Sequence, residues 1–446
     1  MITCRRGESG YEQARCDAVW NARKPDRFPE AIAVPADLGE AAEAVAYARA
    51  HGLTISVRSG GHSWYGLHLR NGGLLLDLSR LRTISVDQAA RTAVVDAGVL
   101  GLELQHAIAE HGLFFPVGHG PDVGLTGFML GGGYGWNSRQ HGPACFSIRA
   151  VDVINADGEL LHCDEDRNGD FLWAARGGGF AQFAVITRFY LRLYDQPGSI
   201  MRSTQVYPAA MAGEVAAWMM AIAPQLDDRV ELVSMVTRPP ITSFDGAATT
   251  VSATAFADSA GEARRLLAPF GDSPFEGREL LAVSNAETNV PELGAEVERE
   301  TPKGQRYVCD NIWTRAGAPV ITPLIQRAAD TMPNPECQVF WYWWGRDRRP
   351  PYAAWSSQAP WYFAVYGIGS DPDLDCAHDR WVAQSIGAVA HLSAGTQFAD
   401  ANLAGRFDSP LRPTQLEKMI RLRARHDPAG VFSAFPDWGY PEKDEP

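Results

Sequence analysis

The residues of this chain that could do chemistry sit mainly in three glycine-rich segments and one aromatic run. The first segment is Val57-Arg58-Ser59-Gly60-Gly61-His62-Ser63, following the short β-branched run Thr54 to Val57. Glycine lets a loop adopt positive φ and bring its backbone close to a ligand. Successive N–H groups facing one way form an anion-binding nest, for which a diphosphate is the natural occupant. A tight turn without a ligand is the other reading of such a glycine pair. The second segment, Gly118-His119-Gly120-Pro121-Asp122-Val123-Gly124, runs on through Gly127 to Gly131-Gly132-Gly133-Tyr134-Gly135-Trp136. That density implies backbone packed against a flat or anionic ligand. The third segment is Arg176-Gly177-Gly178-Gly179, preceded by Phe171-Leu172-Trp173. No G-x-G-x-x-G follows a first strand, which argues against a Rossmann dinucleotide site.

The aromatic run is Gln338-Val339-Phe340-Trp341-Tyr342-Trp343-Trp344. On a strand, Phe340, Tyr342 and Trp344 face one way and Trp341 and Trp343 the other. So aromatic a strand either fills a core or lines an apolar pocket with one face, and alternation alone leaves open which face that is. Tyr362 and Tyr366 are candidates for the same wall. Tyr342 would serve as acid or base there if its pKa were lowered.

Alternating helix and strand signals must position these groups. Ala41 to His51 and Gly101 to His111 read as helices, and Leu74 to Leu78, Arg91 to Val95, Val151 to Ile154, Glu159 to His162 and Phe183 to Leu193 as strands. Beyond about residue 200, helices are expected at Glu214 to Ile222, Gly261 to Leu267, Pro319 to Thr331 and Thr414 to His426. Strands are expected there at Val230 to Val236, Thr249 to Phe256, Gln338 to Trp344 and Tyr362 to Tyr366. The fold class is α+β, with an antiparallel sheet backed by helices in the second half.

A chain of 446 residues is long for one small core and suggests more than one domain. The formal net charge of −13 disfavours nucleic acid, whose binding depends on cationic contacts to phosphates. No apolar run is long enough to span a bilayer. Met1 to Arg6 lead into no apolar stretch, so a cytoplasmic location without a secretory signal is expected. The seven cysteines (Cys4, Cys16, Cys145, Cys163, Cys309, Cys337 and Cys376) include no CxxC pair and read as scattered thiols, with no metal site expected.

Taken in order, these motifs resemble the vanillyl-alcohol-oxidase and berberine-bridge-enzyme family of FAD-linked oxidases. Arg58 to His62 is similar to that family's first flavin diphosphate loop, and Gly118 through Gly135 to its second glycine motif. Asp170 to Trp173, Arg176 to Gly179 and Phe183-Ala184-Val185-Ile186-Thr187 resemble the motif that closes the flavin domain. Arg425-His426-Asp427-Pro428 with Val431-Phe432 is similar to its C-terminal signature. The resemblance thus extends from Arg58 to Phe432.

It implies a two-part FAD-binding domain of PCMH type at 1–198, a substrate domain at 199–397 and a segment at 398–446 returning to the FAD domain. It implies FAD bonded through its 8α-methyl to His62. The other cofactor contacts carried over are Arg58, Ser59, Gly60, Gly61, Ser63, Gly118, Asp122, Val123, Gly124, Gly127, Gly132, Gly133, Gly135 and Val185. Some relatives make a second bond from a cysteine to flavin C6. The matching position here is Gly120, so one bond is expected, and the oligosaccharide substrates of bicovalent relatives lose support. Neighbouring His119 reads as a polar loop residue. Val123 matches a position lining the approach of O2, where a medium side chain goes with oxidase behaviour.

The family's Tyr-x-Asn-Tyr element is replaced by Gly395-Thr396-Gln397-Phe398-Ala399-Asp400-Ala401-Asn402-Leu403. Its tyrosine base cannot be carried over, and Asp400 and Tyr342 stand as the candidates for proton transfer. A late asparagine of some members is replaced by Gln415. The expected activity is transfer of a hydride from a C–H beside an alcohol or amine of a small or medium, secondary-metabolite-like molecule to FAD, with O2 reduced to H2O2. A dehydrogenase with another acceptor and a flavin-binding protein without catalysis are the alternatives.

Overall fold

The computed structural model describes residues 2–433 apart from 181, 240, 242, 243, 346, 347, 357, 358, 404 and 406–408. A four-stranded sheet near the N-terminus has the order Ile2–Arg5, Ala31–Ala33, Leu74–Asp77, Ile55–Arg58. The last three run parallel and Ile2–Arg5 runs antiparallel to its neighbour. Helix Leu38–Ala50 makes the crossover to Ile55–Arg58, with the Asp37 side chain accepting from the Glu40 amide at its start, a standard N-cap. Its Ala41, Ala44, Val45 and Ala48 are buried. The narrow alanine stripe lets it lie close on Leu74 and Leu76. Near the other end of the chain, the Ile55 amide donates to Val431 O and the Ser433 amide to Ile55 O. The distant segment 431–433 therefore flanks the strand that feeds the first glycine loop.

A five-stranded antiparallel sheet follows, in the order Ile84–Asp87, Thr92–Asp96, Val185–Arg192, Ile148–Ile154, Leu160–Cys163. The largest sheet has eight strands, all antiparallel: Leu281–Thr288, Ser199–Pro208, Ala248–Ala257, Val230–Thr237, Gln338–Trp343, Trp361–Gly369, Arg306–Thr314 and Ser393–Gly395. One face packs on helices Ala212–Ile222, Ala260–Gly271, Ala318–Asp330 and Asp375–Val389. Trp341, Trp361, Phe363 and Val365 belong to that face, with the rings of Trp341 and Trp361 stacked 4.8 Å apart. The opposite face carries Phe340, Tyr342, Tyr362, Ala364 and Tyr366 toward the glycine segments. Alternation along the aromatic run thus resolves in space, with its odd-numbered tryptophans against the helices.

The α+β class and the helix-backed antiparallel sheet expected from the sequence are what the chain forms. Among the described residues no helix is long and apolar enough to cross a membrane. No cluster of histidine, cysteine or acidic side chains there could hold a metal.

Candidate active site

A cavity of about 410 Å³ lies where the two glycine segments meet the aromatic face of the large sheet. Arg58, Ser59, Gly60, Gly61, His62 and Ser63 wall one side, and Gly118, Asp122, Val123, Gly124 and Gly127 the next. Tyr342 and Asp400 stand in the same cavity. Gly132, Gly133, Gly135 and Val185, expected as cofactor contacts, are not among its walls. Their surroundings explain why. A Cβ on Gly133 would lie 2.7 Å from Ala144 Cβ, and one on Gly135 would enter the Val117 carbonyl. A Cβ on Gly132 would crowd the rings of Tyr134 and Trp355. Val185 is wholly buried with the residues under helix Leu38–Ala50. At these four positions the residue type answers to chain-on-chain packing.

The first loop is built to leave its backbone free. Arg58 is spent inward, its Nη1 donating to both oxygens of Asp77 at 2.9 and 3.0 Å and its Nη2 to Gly60 O. Ser59 Oγ donates to Ala97 O. Gly61 has φ +73°, the left-handed region that favours glycine. Among the described residues, no acceptor of the chain takes the amide N–H groups of Gly60, Gly61, His62 or Ser63. Gly60 and Gly124 approach backbone to backbone, so that a Cβ on Gly60 would lie 2.7 Å from Gly124 Cα. Adjacent orphan amides on a loop that bends through positive φ form a nest for an anion.

His62 is held from two sides. Its Nε2 lies 2.8 Å from Asp122 Oδ1, and its ring stacks on Trp20 with centroids 4.4 Å apart. Trp20 Nε1 donates to the other oxygen, Asp122 Oδ2, at 2.7 Å. Burial opposes ionisation of Asp122, but the hydrogen bond and charge of His62 and the bond from Trp20 outweigh it, and its carboxyl is held below the usual carboxylate range. With Nε2–H donated to a carboxylate, Nδ1 carries the lone pair of the imidazole.

On the sheet wall, Tyr342 donates to Glu231 Oε1 at 3.3 Å, and Glu231 also takes His119 Nε2 at 3.0 Å and the Asn137 amide at 3.1 Å. Burial, reinforced by the charge of Glu231, raises the Tyr342 pKa well above its ordinary value. The lowered pKa that would make Tyr342 a base by itself is therefore not what this environment gives. Its hydroxyl is a neutral donor backed by a carboxylate. The Glu231 side chain is only 4% exposed and His119 31%. His119, read from the sequence as a polar loop residue, thus connects the buried carboxylate to the open side. Asp400 accepts from Trp64 Nε1 at 2.9 Å, Tyr362 Oη at 2.7 Å and Tyr366 Oη at 3.0 Å. Gln415 lies on helix Pro413–His426, outside the cavity.

Glu231 and Trp20 line the cavity without having been singled out from the sequence. For Glu231 a signal existed. In Val230–Thr237 it is the one carboxylate on a face shared with Val233 and Met235. Glu300, at the end of helix Val290–Glu300, also borders the cavity, and burial pushes its carboxyl up to about 7.

Residues 29–164 match the family model described as FAD binding domain. Over 422 residues the chain is 32% identical to the FAD-linked oxidoreductase nodO of Hypoxylon pulicicidum, covering 94% of this chain and 93% of that protein. The solved structure of 6-hydroxy-D-nicotine oxidase from Arthrobacter nicotinovorans superposes with a TM-score of 0.83 at 21% identity, covering 97% and 96% of the two chains. The BBE-like 1 protein of Physcomitrella patens superposes with a TM-score of 0.81 at 19% identity, covering 97% and 95%. The cavity suits the cofactor these likenesses imply. The amides of Gly60 to Ser63 offer a diphosphate four unclaimed donors. Gly127, whose Cβ would meet nothing within 4 Å beyond its own helix backbone and chain neighbours, leaves its wall open for a flat ring.

Proposed function

Because this chain belongs to the FAD-linked oxidoreductases of the vanillyl-alcohol-oxidase and berberine-bridge-enzyme family, we propose that it is an oxidase holding FAD through one covalent bond to His62. The observation that carries the reading is the placement of His62, pinned by Asp122 and Trp20 beside a row of unclaimed amides. When bound, FAD supplies a two-electron acceptor that takes a hydride from a carbon beside an alcohol or amine and returns the electrons to O2, giving H2O2.

The chain's own residues supply attachment, placement and proton transfer. Gly60 to Ser63 bind the diphosphate through backbone N–H groups. His62 prevents dissociation. The sheet face of Phe340, Tyr342 and Tyr366 forms one wall of the cavity. The substrate's heteroatom proton goes either to Asp400 or to Tyr342, which passes its own proton to Glu231. A small or medium molecule with an apolar body fits the aromatic wall.

The reading is tested by acid precipitation. Yellow colour and flavin absorbance should stay with the pellet, and a digest should yield one flavin-peptide containing His62 and nothing from residues 115–125, since Gly120 has no side chain to bond. Quantitative release of FAD into the acid supernatant would overturn the covalent assignment.

Val123 carries the oxidase part of the reading. Its Cγ2 lies 3.1 Å from where a Gly120 Cβ would stand, and both residues border the cavity. A longer side chain there would fill the space that Gly120 leaves. Val123→Leu is expected to slow reoxidation by O2 at least about tenfold, with flavin reduction changed little. Stopped-flow mixing of the reduced protein with oxygen reads the difference, and equal reoxidation rates would remove Val123 from the oxygen path.

A further inference from the structure

We propose that Asp122 is the general base that makes the covalent bond of His62, and that Trp20 holds the imidazole in place for it. The proposal rests on attachment at His62 and adds the residues that bring it about.

One carboxylate bridges two aromatic partners. Asp122 Oδ1 lies 2.8 Å from His62 Nε2, and Asp122 Oδ2 takes the Trp20 indole N–H at 2.7 Å. The Trp20 ring lies over the imidazole with 27° between the planes. The Trp20 amide donates to Gly61 O, which ties the indole to the loop that carries His62. The imidazole therefore has its plane set by stacking and its tautomer set by hydrogen bonding, with the lone pair on Nδ1. A neutral imidazole is a modest nucleophile. It becomes a stronger one when a base removes the proton from its far nitrogen as the new bond forms.

In the step itself, a C–N bond forms between His62 Nδ1 and the 8α carbon, and one C–H bond of that methyl breaks, its proton leaving to water. The Nε2 proton of His62 passes to Asp122. The electron pair left from the C–H bond stays on the isoalloxazine ring, which is reduced by two electrons, and O2 takes those electrons up as H2O2. Asp122 is ionised at neutral pH, since its pKa lies below the ordinary carboxylate value.

Asp122→Asn is the informative variant, because an amide oxygen still accepts from Nε2–H but cannot take its proton. Full-length wild type, Asp122→Asn and Trp20→Leu would be produced in riboflavin-starved cells, given FAD, and followed for acid-stable flavin over time. The expected result is attachment at least about tenfold slower in Asp122→Asn, with FAD still bound non-covalently. Trp20→Leu should be slowed at least about threefold. Attachment in Asp122→Asn within tenfold of wild type would overturn the role of Asp122 while leaving attachment at His62 intact. Unchanged attachment in Trp20→Leu would remove Trp20. Absence of acid-stable flavin in the wild type would instead overturn the reading on which this one rests.

Discussion

One of the variants Asp400→Asn and Tyr342→Phe is expected to slow anaerobic flavin reduction about a hundredfold or more when assayed with a substrate that bleaches the flavin. General base catalysis contributes roughly 10²- to 10⁴-fold, and these side chains head the two hydroxyl–carboxylate groupings on the cavity wall. Tyr342 with Glu231 forms one, and Tyr366 with Asp400 the other. The two work differently. Tyr342 keeps its proton in the resting site, because burial and the neighbouring Glu231 charge oppose the phenolate. It can accept a substrate proton only while handing its own to Glu231, so Tyr342→Phe interrupts a relay. Asp400→Asn removes a carboxylate while preserving an oxygen to accept from Trp64, Tyr362 or Tyr366. Stopped-flow absorbance gives the reduction rate, and the resting flavin spectrum checks that the site is otherwise intact. A loss below about tenfold in both variants would exclude the two residues. A large loss in only one would identify the grouping that handles the proton.

How far the sequence reveals this site depends on the kind of signal. Periodicity located the four central strands of the large sheet, Ala248–Ala257, Val230–Thr237, Gln338–Trp343 and Trp361–Gly369, because each is rich in apolar and aromatic residues. It missed Ser199–Pro208, Leu281–Thr288, Arg306–Thr314 and Ser393–Gly395. The edge strand Leu281–Thr288 is exposed along nearly its whole length, so no buried face stamps a pattern on it. The first glycine loop was legible because Gly60 and Gly61 lie side by side in the chain, and such a pair is the local mark of a loop whose amides stay unclaimed. Gly132, Gly133 and Gly135 look the same in sequence but answer to Ala144, Val117 and the rings of Tyr134 and Trp355, which the fold brings together. Trp20 is separated from Asp122 by 102 positions, and no local pattern links them. Glu231 was visible as a carboxylate on an apolar face, but only the approach of His119 and Tyr342 gives that carboxylate partners.

Gly127→Ala should separate a ligand from mere packing as the cause of the glycine-rich wall, and its expected effect on flavin content is large. Gly60 and Gly124 cannot make this distinction. A Cβ on either would lie 2.7 Å from the backbone of the other, so substitution forces the two loops apart whether or not a cofactor sits between them. Gly127 differs. It lies inside helix Leu125–Leu130, and beyond that helix's own backbone and its chain neighbours a Cβ there would meet nothing within 4 Å. In a helix interior alanine is favoured over glycine by about 1 kcal/mol, so the cofactor-free variant should be at least as stable as the cofactor-free wild type. Yet Gly127 borders the cavity, and a methyl group would occupy space that the flavin ring needs. The expected outcome is a flavin-to-protein ratio at least about tenfold lower, with unchanged far-ultraviolet circular dichroism and no loss of melting temperature in the cofactor-free protein. Full flavin content would mean that the ring does not pass over Gly127. Lower stability of the cofactor-free variant would mean that Gly127, like Gly135, is there for the chain's own packing.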